Sequence, residues 1–120
     1  LEPLSVTFVV GNFILGENIG DLGGVNAAYD GLQLYLKANG NPGLIDGYTP
    51  EQLFFISWST IWRSKMRDEA LKNQVKTDPH SPGMYRAYVP LQNIDTFYQA
   101  FDIKPTDGMY IAPEKRVRIW

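Results

Sequence analysis

The sequence has 120 residues, no cysteine and a single histidine, His80. Without cysteine, disulfides, thiolate-ligated metal sites and thiol nucleophiles are all excluded. The absence fits a reducing compartment, or an exported bacterial protein that manages without bridges, and does not separate the two. No apolar run approaches the ~20 residues of a membrane-spanning helix. No charged-then-apolar leader opens the chain. It begins at Leu1 rather than Met, which is consistent with a piece cut from something longer. An excess of positive charge is also missing: the formal net charge is −2, which leaves no electrostatic footprint for nucleic acid. The run Lys115-Arg116-Val117-Arg118 is too short to count as a basic patch. Neither repeats, low-complexity stretches nor linkers interrupt the sequence. Gly-x-Ser-x-Gly elbows are absent, and the glycines of Gly20-Asp21-Leu22-Gly23-Gly24 lie inside a helical pattern rather than between strand and helix.

What is present is enough for a core. Apolar residues make up 44% and aromatics 13%, so a chain of this length can fold as one globular domain. Residues 1–15 read as extended, with Val6, Phe8 and Val10 in alternation and Gly11-Asn12 as a turn. A helix follows over 17–38, because Ile19, Leu22, Val25, Tyr29, Leu32 and Leu36 recur at helical spacing. Asn39-Gly40-Asn41-Pro42-Gly43 stops it. Gly20, Gly23, Gly24 and Gly31 weaken it by about 1 kcal/mol each against alanine, which points to another backbone approaching closely. Thr49-Pro50-Glu51-Gln52 is a helix start: Thr49 as cap, Pro50 at the first helical position, Gln52 three residues after the cap. That helix carries Leu53, Phe54, Phe55, Ile56, Trp58, Ile61 and Trp62, and its nearly all-round apolar first half should be buried in a larger body. Shorter helices are expected over 68–76, from Met84 until Pro90 ends it, and over 94–101. The tail, 102–120, reads as irregular. The fold class is mainly α, with a short extended N-terminal segment.

The chemistry-bearing residues are few. Glu17 and Asp21 stand four apart and so share one helix face. In the plain reading they complement the dipole at the first turn of a helix, worth about 0.3–1 kcal/mol. In the functional reading Glu17 is a zinc ligand and Asp21 orients a zinc-bound histidine. His80 sits in a stiff loop, Thr77-Asp78-Pro79-His80-Ser81-Pro82-Gly83, where Asp78 can orient its ring toward a developing oxyanion. Arg86 can hold a substrate carbonyl with its planar fork; otherwise it is a surface arginine or a partner of Asp78. The aromatics of Trp58-Ser59-Thr60-Ile61-Trp62 read as core.

Four blocks together resemble a known family. They are Leu15-Gly16-Glu17-Asn18-Ile19-Gly20-Asp21-Leu22-Gly23-Gly24, Glu51-Gln52-Leu53-Phe54-Phe55-Ile56-Ser57, Val75-Lys76-Thr77-Asp78-Pro79-His80-Ser81-Pro82-Gly83, and Pro113-Glu114-Lys115 leading to Trp120. In this order they resemble the C-terminal part of the neprilysin and endothelin-converting enzyme family of zinc metallopeptidases. The resemblance implies that residues 1–120 are the helical C-terminal part of a thermolysin-like catalytic domain. It implies Glu17 as the third ligand of one catalytic Zn2+ and Asp21 as support for a zinc-bound histidine. His80, with Asp78 beside it, would stabilise the transition state, and Arg86 would bind the substrate backbone.

Family members cleave oligopeptides and include surface-anchored, secreted and bacterial intracellular forms. Gly20 stands where the family usually has Ala. Arg63, Ile103 and Val117 stand near where animal members have cysteines, which points to a bacterial member. His-Glu-x-x-His, which would supply two zinc ligands and the general base, is absent from these 120 residues. The expected partners are therefore oligopeptide substrates, the missing N-terminal part of the same protein, and further copies of the chain through its uncovered apolar surface. The alternative is a non-catalytic helical interaction module or an inactive peptidase-like domain.

Overall fold

A computed structural model describes residues 11–119. Among the described residues five α-helices follow in order: α1 Gly11–Asn39, α2 Pro50–Ile61, α3 Asp68–Thr77, α4 Gly83–Tyr88 and α5 Asp95–Phe101. Single 3-10 turns stand at Leu91–Asn93 and Pro113–Lys115. Among the described residues there is no strand, only an isolated bridge between Ile45 and Tyr48. The fold is mainly α, as the sequence implies.

One expectation needs correction at the start of the chain. The alternation of Val6, Phe8 and Val10 lies outside the described residues. Residues 11–15, read as a turn and extended chain, are already helical. Leu15, Ile19 and Leu22 fall at i, i+4 and i+7, so the helical apolar spacing extends upstream of Glu17. Once a helix exists, each added residue gains a hydrogen bond, and this outweighs the turn preference of Gly11-Asn12. Glu17 and Asp21 therefore stand inside α1, and no acidic residue occupies its first turn. The dipole argument for that pair falls away, since the effect fades beyond the first turn.

The glycines of α1 bear on the expected close approach. A Cβ built at Gly20, Gly24 or Gly31 meets nothing within 4 Å, so among the described residues no backbone approaches α1 closely at these three positions.

α2 is the central element and touches α1, α4 and α5. Its start is the expected cap. The Thr49 hydroxyl accepts from the Gln52 N–H at 3.1 Å, and the Gln52 side chain accepts from the Thr49 N–H at 3.0 Å. The same Gln52 amide donates to the Ala100 carbonyl at 2.9 Å, tying the cap to the end of α5. Phe55, 1% exposed, sits at the middle of the core. Around it are Leu22 and Val25 of α1, Leu91, Ile94, and Phe97 and Tyr98 of α5. Tyr29, Phe54 and Phe97 surround Phe55 with ring centroids 5.1–5.5 Å away. Such pairs add about 0.5–1.5 kcal/mol each beyond their buried area.

The far end of α2 departs from the core reading: Ile61 is 66% exposed. Two side chains of α2 fix α4. Trp58 Nε1 donates to the Arg86 carbonyl and Ser59 Oγ to the Ala87 carbonyl, both at 3.0 Å.

The tail is irregular but anchored. Arg116 lies 3.5 Å above the Tyr98 ring and donates to the Ile111 carbonyl at 2.8 Å and to Asp95 at 3.0 Å. Arg118 reaches the same carboxylate at 2.9 Å. Burial would raise the Asp95 carboxyl, but the hydrogen bonds from Arg116 and Arg118 outweigh it and hold it below the usual range.

Candidate active site

The helical repeat of α1 puts Glu17 and Asp21 one turn apart on one face. The loop after α3 and the short α4 bring two basic groups to that face. His80 Nε2 lies 2.9 Å from Glu17 Oε2. Arg86 grips Asp21 with two parallel bonds, Nε to Oδ2 and Nη2 to Oδ1, both 2.8 Å. All five residues singled out from the sequence, Glu17, Asp21, Asp78, His80 and Arg86, thus meet in one cluster.

Local rules set the His80 loop. Asp78 Oδ1 accepts from the His80 backbone N–H at 2.9 Å and faces the ring Nδ1 at 2.8 Å. This is the familiar aspartate turn, in which the side chain bonds its own backbone two residues on. First the backbone bond and then the ring bond to His80 hold the Asp78 carboxyl below its ordinary range. The ring is oriented from both sides, with a carboxylate at each nitrogen.

Arg86 is not a free surface arginine, and its ion-pair partner is Asp21 rather than Asp78. Its side chain is 18% exposed and that of Asp21 11%, so the pair is largely withdrawn from water. The guanidinium also lies 3.8 Å from the centroid of Trp62. Trp62 therefore supports the site and is not simply core. Gly83 allows this approach: a Cβ there would stand 2.9 Å from the Trp62 carbonyl oxygen.

Two residues of this region carried no signal of their own in the sequence. Asn18 and Ser81, the neighbours of Glu17 and His80, meet through a 2.8 Å bond from the Ser81 hydroxyl to Asn18 Oδ1. Beside them an apolar hollow of about 210 Å³ is lined by Leu15, Ile19, Leu22, Tyr85, Val89 and Val117 and rimmed by Arg86.

For a metal, the donor set is partial. Among the described residues no group of three or more His, Asp or Glu side chains could hold an ion. Glu17, half exposed, offers one carboxylate donor. A catalytic zinc needs about three protein ligands. The residues therefore fit one corner of such a site and not the whole of it.

Comparison with known proteins bears on the family of the chain. The family model described as Peptidase family M13 matches residues 2–117. Human neprilysin is 42% identical over 108 residues, covering 88% of this chain and 14% of neprilysin. The neutral endopeptidase of Lactobacillus helveticus is 39% identical over 110 residues, covering 92% of this chain and 15% of that protein. The crystal structure of the Mycobacterium tuberculosis zinc metalloprotease Zmp1 with an inhibitor superposes with a TM-score of 0.92 at 43% identity, covering 99% of this chain and 18% of Zmp1. The chain thus spans less than a fifth of each of these relatives. With its sequence matched over nearly all its length and its helices superposing on Zmp1, the chain belongs to peptidase family M13.

Proposed function

We propose that the polypeptide containing this chain is a zinc-dependent endopeptidase acting on oligopeptides, and that residues 1–120 form the C-terminal part of its catalytic domain. The observation that carries this reading is the pairing of Glu17 with His80 and of Asp21 with Arg86 on one face of α1. Glu17 is the zinc ligand this chain supplies; the remaining ligands and the general base come from outside it. When bound, zinc supplies a Lewis acid for the scissile carbonyl and an activated water.

The other roles belong to this chain's own groups. Were Glu17 to hold the metal, His80 Nε2 would be free to donate to the oxyanion, its ring held by Asp78. Asp21 takes two of the guanidinium's N–H directions, through Nε and Nη2, and this leaves Nη1 of Arg86 for a peptide carbonyl. The pairing also keeps the charge of Arg86 compensated before substrate arrives. Asp21 reaches a zinc-bound histidine with whatever acceptor capacity Arg86 leaves it.

The missing part of the protein is the main partner. Ile61, Leu34, Tyr35 and Leu44 are all well exposed, which favours cover by that part or, in its absence, self-association of the 120-residue chain.

The test is a comparison of the full-length polypeptide with the 120-residue chain on a fluorogenic peptide. The full-length protein should show chelator-sensitive cleavage and the chain alone none. His80→Gln in the full-length protein should lower kcat by about 10²–10³ with a smaller change in KM. A full-length protein with bound zinc and no cleavage of any peptide would support the binding-module reading instead.

A further inference from the structure

We infer that Asn18 and Ser81 are positioning residues: their hydrogen bond sets the His80 loop in register on the helix that carries Glu17. The inference rests on the peptidase reading above for what that register does.

Ser81 is a buried polar residue, 4% exposed. Leaving a buried hydroxyl without a partner costs its desolvation with nothing to offset it, and the partner of Ser81 is Asn18 Oδ1 at 2.8 Å. The two residues are 63 apart in sequence, yet each directly follows a residue of the cluster. The bond therefore joins the backbone next to Glu17 to the backbone next to His80.

The other links of the loop run elsewhere. The Asp78 N–H donates to the Gln74 carbonyl in α3, and the His80 N–H bonds within the loop to Asp78. Gly83 abuts the end of α2 at Trp62. Of these contacts, only Ser81–Asn18 and the 2.9 Å His80–Glu17 contact cross from the loop to α1. If Glu17 gave Oε2 to a metal, the second would be lost, and Ser81–Asn18 would remain to hold the imidazole at its distance from α1. Pro79 and Pro82 flank the pair and stiffen the loop, so a fixed point at Ser81 is transmitted to His80. Arg86 is held separately, by Asp21 and Trp62. Loss of the tie should therefore disturb His80 and spare Arg86.

This separation gives a readout that a merely structural role would not move. In the full-length protein, Ser81→Ala and Asn18→Ala should each lower kcat about 10- to 100-fold, with KM within about twofold. The double variant should be no worse than the poorer single one, and Ser81→Thr, which keeps the hydroxyl, should recover most of kcat. Asn18 is only half-buried, so Asn18→Ala serves if Ser81→Ala fails to fold. Effects that add, a kcat within twofold of the unchanged protein, or kcat and KM moving together would overturn the inference.

If the full-length protein cleaves no peptide, the peptidase reading fails separately. The tie is then read from the 15N signals of the His80 ring, assigned by their loss in His80→Gln. They should shift and broaden in Ser81→Ala; unchanged signals would overturn the inference.

Discussion

Two arginines in this molecule are built the same way and used differently. Arg86 lies on the face of Trp62 and grips Asp21; Arg116 lies on the face of Tyr98 and reaches Asp95. Both settings stack a flat cation on an aromatic ring and aim it at a carboxylate. The difference is in what is left over. Arg116 spends Nε on the Ile111 carbonyl and Nη1 on Asp95, and Arg118 fills the rest of that carboxylate. That cluster is closed and holds the tail down. Around Arg86, Nε and Nη2 go to Asp21, and the pair lies one turn of helix from Glu17 and His80. That cluster is open toward a shared surface. The motif is thus a fastener in one place and, under the proposed function, a binding group in the other, and the neighbours decide which.

The comparison can be broken by substitution. Arg86→Met should have the largest effect, a stability loss of about 3 kcal/mol, because it leaves a nearly buried Asp21 unpaired. Arg86→Lys should recover only part, since an ammonium cannot reproduce the bidentate fork. Thermal unfolding checks both; a loss below about 1 kcal/mol for Arg86→Met would mean that the pair is not withdrawn from water as described.

Gly83→Ala tests the support beneath Arg86. A methyl 2.9 Å from the Trp62 carbonyl oxygen must push backbone against backbone, and a loss of about 1–3 kcal/mol is expected. Stability equal to that of the unchanged chain would show that α4 does not sit against Trp62.

Asp95→Asn should cost less, about 0.2–1 kcal/mol, because this carboxylate is half exposed. Its sign with pH is definite. The folded Asp95 has a lowered pKa, so its contribution is complete above the unfolded value near 4 and is lost as pH falls through the folded value. Thermal unfolding followed from neutral to acid pH should therefore fall more steeply for the unchanged chain than for Asp95→Asn. Parallel curves would remove the fastener.

The smallest effect separates the chain from its surroundings. Gly24→Ala in the 120-residue chain meets nothing within 4 Å and should stabilise α1 by up to about 1 kcal/mol. In the full-length protein the same change should be neutral or harmful if another segment packs there. Equal stabilisation in both would leave Gly24 without a packing partner.

Much of this architecture was legible in the sequence, where the determinants are local. Thr49, Pro50 and Gln52 announced α2 because a cap involves four consecutive residues and little else. The internal turn of the His80 loop was legible for the same reason: two prolines and an aspartate two residues upstream shape it locally, whereas its register on α1 is tertiary. The start of α1 was misread because Gly11-Asn12 is a turn signal in isolation, while helix propagation is a property of the neighbours. Trp62 read as core because it ends an apolar helix; its contact with Arg86 is made across 24 residues and has no local signature. Asn18 and Ser81 were silent for the same reason. The meeting of Glu17 with His80 and of Asp21 with Arg86 is likewise tertiary, and only the family pattern linked those positions beforehand.

The most direct test of the central claim is the zinc content of the full-length protein with Glu17→Gln, measured alongside its circular dichroism. A carboxylate that ligates the ion should, once replaced by an amide, leave a folded protein that has lost most of its zinc, together with chelator-sensitive peptide cleavage. A folded Glu17→Gln protein that keeps about one zinc per chain and cleaves peptide at the unchanged rate would contradict the account.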